Sequence, residues 1–233
     1  MSDSRPVGFF DSGVGGTSIL QAFRRLCPEE KTLYLADTAN CPYGNRPPAE
    51  VVRLSEAMVQ KLLARDCKMI VVACNTATAA AIDYLRGAYP EIPFIGVEPA
   101  VKPAALHSRT GVVAVLATAG TFGGRLYNET KARFAKDVRV LAVVADEFVA
   151  LVESIARGEG SLGDARSRSI VESKIRPLVD AGADHIVLGC THFPHLKRLI
   201  AAVAGPSVAI VDPSEAVAAQ ARRVLAERGL LCK

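Results

Sequence analysis

The chain has 233 residues, of which half are hydrophobic and 22% are charged, and its formal net charge is +4. This composition is typical of a globular protein with a large core and excludes a disordered chain. The basic residues alternate with acidic ones, and no apolar run reaches the ~18 residues of a membrane span, so we expect a soluble, cytoplasmic protein without a nucleic-acid or membrane partner.

Short apolar segments rich in β-branched residues alternate along the chain with longer segments of helical periodicity. The predicted strands are 7–10, 32–36, 68–73, 93–97, 111–117, 138–144, 185–189 and 208–211. The helical spacing is clearest in two sets of residues: Val51, Leu54, Met58 and Leu62, and Val171, Ile175, Leu178 and Val179. Continuously apolar strands are typical of sheets covered by helices on both faces, so the pattern predicts an α/β fold with parallel sheets.

The same pattern of segments occurs twice. VGFFDSGVGGTSIL (7–20) and VAVLATAGTFGGRLY (113–127) each read as a strand, a glycine-containing turn and a helix. Each is followed later by an apolar run that ends in a cysteine, MIVVACNTAT (69–78) and HIVLGCTHF (185–193). We interpret this as two similar, pseudo-symmetric α/β domains. Ligands bind beyond the carboxyl ends of parallel strands, so we expect one cleft between the domains.

The residues at those strand ends are of the types that carry out acid/base chemistry. Asp11, Cys74, Thr118 and Cys190 each follow or end a predicted strand. Two thiols on opposite sides of one carbon suit a two-base proton exchange, because a thiol with a pKa near ~8.5 can carry a proton at neutral pH. Asp11 could orient or accept a proton from Cys74, and His192 follows two residues after Cys190.

Polar groups beside the cysteines could bind a carboxylate. Asn75, Thr76 and Thr191 lie at strand-to-helix junctions, where hydroxyl, amide and free backbone N–H groups are available. No lysine or ligand motif indicates a cofactor, so we predict none.

The cysteines do not follow a metal-binding pattern. Six are present, at 27, 41, 67, 74, 190 and 232, without a Cys-x-x-Cys pair. His192 and His195 have ligand spacing, but Pro194 breaks the helix that such a pair needs. We therefore predict no metal site and reduced thiols, with Cys27, Cys67 and Cys232 inert.

Each assignment has a structural alternative. A cysteine at a strand end is often buried for packing alone, and Asp11 could be only a helix N-cap. His192 could be an ordinary surface histidine, and Tyr43-Gly44 a plain turn. GVGG (13–16) is a weak dinucleotide signal, and we favour a tight turn that lets backbone approach a ligand. A thiol-redox protein would need a vicinal thiol pair, which the sequence lacks, whereas a pure binding protein would keep its affinity without either cysteine.

Six phrases, in order, carry a family resemblance: FFDSGVGG, YLADTANCPYG, ACNTA, GVEPAVKPA, LATAGT and GCTHFP. With them, the chain from Val7 to about Asp212 resembles the glutamate racemases of the aspartate/glutamate racemase superfamily. The resemblance implies a cofactor-independent enzyme that racemises glutamate and supplies D-glutamate for bacterial peptidoglycan. It also implies two domains, 1–97 with 206–233 and 98–205, so that the chain crosses over near Glu98 and returns near Pro206. A homodimer is one arrangement open to such a chain.

The resemblance also implies roles for individual residues. Cys74 and Cys190 would be the acid/base pair, assisted by Asp11 and His192. The residues that would bind the substrate or line the cleft are Asp11, Ser12, Tyr43, Gly44, Asn75, Thr76, Thr118, Thr121, Thr191 and His192.

The sequence departs from the family pattern in four places. ADEFVALVE (145–153) lacks the usual Cys-Pro and has Ala150 for proline, which leaves the place of Glu153 undetermined. Phe193 replaces a usual tyrosine, and Cys41 is an additional thiol. An aspartate or broad-specificity racemase, a two-cysteine isomerase such as a maleate isomerase, and a one-cysteine decarboxylase therefore remain alternatives, the last disfavoured by the second cysteine.

Overall fold

Two parallel four-stranded sheets form the framework of the protein. The structure is a computed structural model that describes residues 3–232. The first sheet contains β1 (Val7–Asp11), β2 (Thr32–Ala36), β3 (Met69–Val72) and β4 (Phe94–Ile95), and the second contains β5 (Val112–Ala117), β6 (Arg139–Val144), β7 (His185–Gly189) and β8 (Ala209–Val211). All eight predicted strands are present, and the predicted α/β class is confirmed.

Both sheets have the same topology. Their strand orders are β2-β1-β3-β4 and β6-β5-β7-β8, so the first and third strands of each set lie in the middle. The registers correspond as well: Gly8 of β1 lies between Leu33 and Ile70, as Ala114 of β5 lies between Leu141 and Ile186. The duplication predicted from the repeated phrases is therefore visible in the strand pairing.

Helices cover both faces of each sheet. They are α1 (Thr17–Leu26), α2 (Pro48–Leu63), α3 (Asn75–Ala88), α4 (Val101–His107), α5 (Ala119–Phe122), α6 (Arg125–Phe134), α7 (Asp146–Ala156), α8 (Ala165–Asp180), α9 (Lys197–Ala204) and α10 (Ser214–Glu227), with 3₁₀ turns at Thr38–Asn40 and Phe193–Leu196. Over residues 3–232, none of these helices has the length and apolar character needed to cross a lipid bilayer.

Strand β1 shows why its sequence is continuously apolar. Phe9 packs with α1 and α10 on one face of the sheet, whereas Phe10 packs with α2 and α3 on the other. Both side chains are fully buried. Since successive side chains of a strand point to opposite faces, a strand between two helical layers must be apolar at every position.

The second crossing between the halves differs from the prediction. Strand β8 comes after Pro206, yet it pairs with β7 in the second sheet, for example Ile210 with Ile186. Only α10 returns, packing its buried residues with those of α1 in the first half. Assigning residues 209–211 to the first domain was therefore wrong. The run VAIV identifies a strand, but a strand's local sequence does not specify which neighbour it pairs with.

A buried ion pair beside the first sheet binds segments near both ends of the described chain. Lys68 Nζ lies 2.7 Å from Glu30 Oε2, and both side chains are at most 1% exposed. The ammonium also donates to the carbonyls of Asp3 and Leu230, at 2.5 and 2.8 Å. The amide of Cys232 donates to Glu30 Oε1 at 2.6 Å. The pair thus anchors residues from both ends of the described chain.

Replacing Lys68 should strongly destabilise the fold. In Lys68→Met, the Glu30 carboxylate stays buried without its cation, so we expect the free energy of unfolding to fall by about 3–5 kcal/mol. Arg25→Met is the matched control, because its ion pair with Glu215 is exposed and should contribute less than about 1 kcal/mol. Urea unfolding at neutral pH measures both, and similar losses in the two variants would contradict the expectation.

Candidate active site

The candidate site lies at the carboxyl ends of the four central strands. Asp11 ends β1 and Cys74 follows β3 in the first half, while Thr118 follows β5 and Cys190 follows β7 in the second. All four residues are buried, with at most 7% of their surface exposed. Because β1, β3, β5 and β7 are the inner strands of their sheets, the topology puts the four residues in corresponding positions.

Asp11 connects the two halves through its carboxylate. Its Oδ1 accepts hydrogen bonds from the amide and hydroxyl of Ser12, at 2.6 and 3.3 Å. Its Oδ2 accepts from the Gly16 amide at 2.5 Å and from the Thr191 hydroxyl, in the other half, at 3.0 Å. Asp11 therefore hydrogen-bonds to the N-terminal end of α1, as a capping residue would. It also hydrogen-bonds to Thr191 across the cleft.

Cys74 begins α3 and has the character of a buried thiol. Its Sγ accepts from the Ala77 amide at 3.5 Å, the bond that an N-cap side chain makes. Burial, the negative charge of Asp11, the charge of Cys190 and a hydrogen bond to Asp11 raise the pKa of Cys74 well above its ordinary value, and the amide bond opposes them only in part. These effects favour the protonated thiol form of Cys74.

Cys190 belongs to a different chain of polar groups. Its Sγ lies 3.8 Å from His192 Nδ1, and the other ring nitrogen of His192 lies 2.6 Å from Glu153 Oε1. Burial opposes charge on this ring, but the hydrogen bonds to Cys190, Cys41 and Glu153 outweigh it and raise the pKa of His192 well above 6.5. His192 is 1% exposed, so the alternative of a surface histidine is wrong.

Three threonine hydroxyls form a second connection between the halves. Thr76 Oγ1 lies 2.9 Å from Thr118 Oγ1, which lies 3.0 Å from Thr121 Oγ1. Nearby, the Gly120 amide donates to the carbonyl of Gly44 at 3.0 Å. The structure thus brings Gly44, Thr76, Thr118 and Thr121 together.

Two of the predicted residues are partly engaged elsewhere. The Tyr43 hydroxyl donates to Asp37 Oδ2 at 2.6 Å, inside the first half. Asn75 donates from Nδ2 to the Val97 carbonyl at 3.3 Å. Its Oδ1 is buried and has no hydrogen-bond partner among the residues that the structure describes.

The glycines of the GVGG turn allow close contact between the halves. A Cβ on Gly13 would lie 1.9 Å from Glu153 Oε1, and one on Gly15 would lie 2.4 Å from His192 Nδ1. A Cβ on Gly15 would also lie 2.7 Å from the backbone nitrogen of His192, which cannot move aside as a flexible side chain can, so the turn needs glycine at Gly15 to approach the second half. The predicted tight turn faces protein groups across the cleft.

Sequence and structure comparisons agree on one family. The profile of the Asp/Glu/Hydantoin racemase family matches residues 16–221. The chain belongs to this family. It is 49% identical over 227 residues to a glutamate racemase of Herpetosiphon aurantiacus, covering 97% of this chain and 87% of that protein. These matches identify it as a racemase, which is an isomerase.

Solved structures give the same result. A glutamate racemase of Escherichia coli, in complex with L-glutamate and the activator UDP-MurNAc-ala, matches with a TM-score of 0.86 at 34% identity, covering 95% of this chain and 83% of that one. A glutamate racemase of Thermus thermophilus, in complex with β-chloro-D-alanine, matches with a TM-score of 0.77 at 36% identity, covering 99% and 84%.

Sequence analysis left the positions of two site residues in this racemase undetermined. Glu153 lies on α7 and binds both His192 Nε2 and the amide of Val14, the latter at 2.8 Å. Cys41 Sγ lies within 4.8 Å of a Glu153 carboxylate oxygen and of a His192 ring nitrogen. Both residues line a cavity of about 750 Å³ between the halves, together with Val14, Pro42 and Asp146. The acid of the ADEFVALVE phrase was a usable signal for Glu153, whereas nothing local indicated the partners of Cys41.

The ion pair of Glu153 with His192 should stabilise the fold only within a limited pH range. Burial raises the pKa of Glu153, but its bonds to His192, Val14 and Cys41 lower it overall below 4.5. The contribution of Glu153 is therefore present above 4.5 and lost as pH falls through the lowered pKa. The pKa of His192 is raised on folding, so its contribution is present below 6.5 and lost as pH rises through the raised value.

Glu153→Gln tests this pH dependence. We expect it to lower the free energy of unfolding by about 1–3 kcal/mol between pH 4.5 and 6.5, and by progressively less in alkaline solution. Urea unfolding from pH 4.5 into alkaline solution measures the loss, with Glu147→Gln on the same helix as the control. A loss that stays the same from pH 4.5 into alkaline solution would contradict the raised pKa of His192.

Proposed function

We propose that the protein racemises glutamate without a cofactor, with Cys74 and Cys190 as the two acid/base residues, and that it supplies D-glutamate for peptidoglycan synthesis in the cytoplasm. One observation carries the proposal: the two cysteines end corresponding strands of the duplicated sheets, and each has its own polar partner. The names of its relatives support glutamate as the substrate.

The partners of the two cysteines suit proton transfer at opposite faces of one carbon. From L-glutamate, Cys190 would remove the Cα proton, with His192 Nδ1 at 3.8 Å to exchange protons with it. Cys74, whose raised pKa favours the thiol form, would then donate its proton to the other face. Asp11, which accepts from Cys74, would assist the return of a proton. In the reverse direction the two cysteines exchange roles.

The polar groups around the cysteines suit a charged amino acid. The N-terminal end of α3, at Asn75 and Thr76, offers partial positive charge and hydroxyl groups to a carboxylate. The Asn75 Oδ1 is a buried acceptor without a partner among the described residues, so a substrate ammonium group could satisfy it. Ser12, Gly44, Thr191 and the other threonines of the cleft would complete the binding site, with Tyr43 positioning the loop through Asp37.

Isotope exchange with solvent tests the proposed reaction directly. In D₂O, we expect both enantiomers of glutamate to gain deuterium at Cα without added pyridoxal phosphate, metal or nucleotide, because proton transfer at Cα needs only the two thiols. NMR or mass spectrometry measures the exchange. Aspartate, whose side-chain carboxylate has a shorter reach, is the comparison substrate and should exchange much more slowly. A need for an added cofactor would refute the proposal, and equal rates would indicate a broad-specificity racemase.

Serine variants test whether each cysteine serves one face. Cys74→Ser and Cys190→Ser should nearly abolish racemisation, since the pKa of a serine hydroxyl lies far above neutral. Each should still eliminate chloride from one enantiomer of β-chloroglutamate, because the remaining cysteine removes the Cα proton while the Cβ–Cl bond breaks, and no reprotonation is needed. We expect Cys74→Ser to act on the L-enantiomer and Cys190→Ser on the D-enantiomer.

Chiral chromatography of the remaining β-chloroglutamate measures which enantiomer each variant consumes. Cys67→Ser, outside the candidate site, is the control and should keep racemisation. If both variants consume the same enantiomer, or if either racemises glutamate at a rate near that of the unaltered protein, the two-base mechanism is wrong.

A further inference from the structure

Three residues that are distant in the sequence meet at the mouth of the cleft. Cys41 Sγ, a Glu153 carboxylate oxygen and a His192 ring nitrogen all lie within 4.8 Å of one another. Cys41 follows the 3₁₀ turn Thr38–Asn40 in the first half, whereas Glu153 lies on α7 and His192 follows β7 in the second. We call these three residues the mouth cluster.

The donor atoms of the mouth cluster match one class of metal ion. A thiolate, an imidazole nitrogen and a carboxylate oxygen are the ligands of zinc, which binds three protein groups and leaves a fourth position open to water in many sites. Magnesium and calcium prefer oxygen ligands and would not use the thiolate. No motif in the sequence indicates this site, because its ligands come from separate segments without metal-binding spacing.

The mouth cluster is also accessible. Cys41 and Glu153 line the cavity of about 750 Å³ between the halves, so an ion could reach them from solvent. Cys41 is only partly buried. His192 has its Nε2 toward Glu153 and its Nδ1 toward Cys190, so the nitrogen that faces the cluster is not the one that faces the thiol.

We propose that the mouth cluster binds a soft divalent cation of the zinc class, and that this binding inhibits the racemase. The inhibitory part rests on the proposed function. On binding, the ion replaces the Cys41 thiol proton and the His192 Nε2 proton, and both protons leave to solvent. The ion then joins the first half at Cys41 to the second half at Glu153 and His192, which holds the cleft closed against substrate and fixes the ring beside Cys190.

Cobalt(II) is the probe for binding, because its thiolate charge-transfer and d–d absorption bands report the ligands independently of activity. Titrated into the full chain under a non-thiol reductant, Co²⁺ should bind one per chain, with a thiolate band and the strong d–d bands of a tetrahedral site. Zinc should displace it. Absence of stoichiometric binding, or binding without a thiolate band, would overturn the proposal.

Variants locate the ion. Cys41→Ser should lose the thiolate band and weaken binding by more than the 10–100-fold that loss of an outer-shell group costs. Glu153→Gln should keep the band but bind more weakly, which tests the site without altering the thiol. Cys232→Ser, a partly buried thiol whose amide bonds Glu30, is the control and should leave the spectrum unchanged. Circular dichroism confirms that each variant is folded.

Two further measurements separate this site from the cysteine pair. Cys190→Ser should keep the thiolate band. If instead Cys190→Ser loses the band and Cys41→Ser keeps it, the ion lies at the catalytic pair and the proposal is wrong. Zinc should inhibit glutamate racemisation by the unaltered protein at concentrations that fill the site, with weaker inhibition of the residual activity of Glu153→Gln. Full occupancy by cobalt or zinc without loss of activity would refute the inhibitory role.

Discussion

The buried carboxylate of Asp11 is the group on which the arrangement of the cleft depends. An ionised carboxylate inside a protein is tolerated only when hydrogen bonds replace its water, and those of Asp11 come from Ser12, from Gly16 before α1, and from Thr191 in the second half. Satisfying one charge therefore requires β1, α1 and the segment after β7 to meet.

The second half is arranged by a similar requirement. His192 is almost fully buried, and its ring is held between Cys190 and Glu153. Glu153 in turn accepts a hydrogen bond from the amide of Val14 in the first half, and the close approach of this turn to the second half depends on Gly15, where a Cβ would lie 2.7 Å from the His192 backbone nitrogen. Each half thus supplies a hydrogen-bond donor to a carboxylate of the other half, Thr191 to Asp11 and Val14 to Glu153.

Most of the fold followed from local sequence, because a continuous apolar run identifies a doubly covered strand wherever it pairs. The strands at 32–36 and 185–189 have the predicted bounds. Pairing is not local, so β8 was assigned to the wrong half. Within the site, Cys74, Cys190 and Asp11 could be located because strand ends are predictable, whereas Cys41 meets Glu153 and His192 only through the packing of α7 against the GVGG turn. Asp37, which holds Tyr43, gave no local signal either.

The unlike partners of the two cysteines have a consequence for the kinetics of the proposed reaction. L- and D-glutamate have equal free energies in water, so the equilibrium constant of their interconversion is one, and kcat/KM must be the same in both directions. Asp11 beside Cys74 and the His192–Glu153 pair beside Cys190 break the symmetry that the duplicated sheets would otherwise give. Any advantage in kcat that this gives one enantiomer must therefore accompany an equal proportional rise in its KM, so the asymmetry sets which enantiomer saturates the enzyme at the lower concentration.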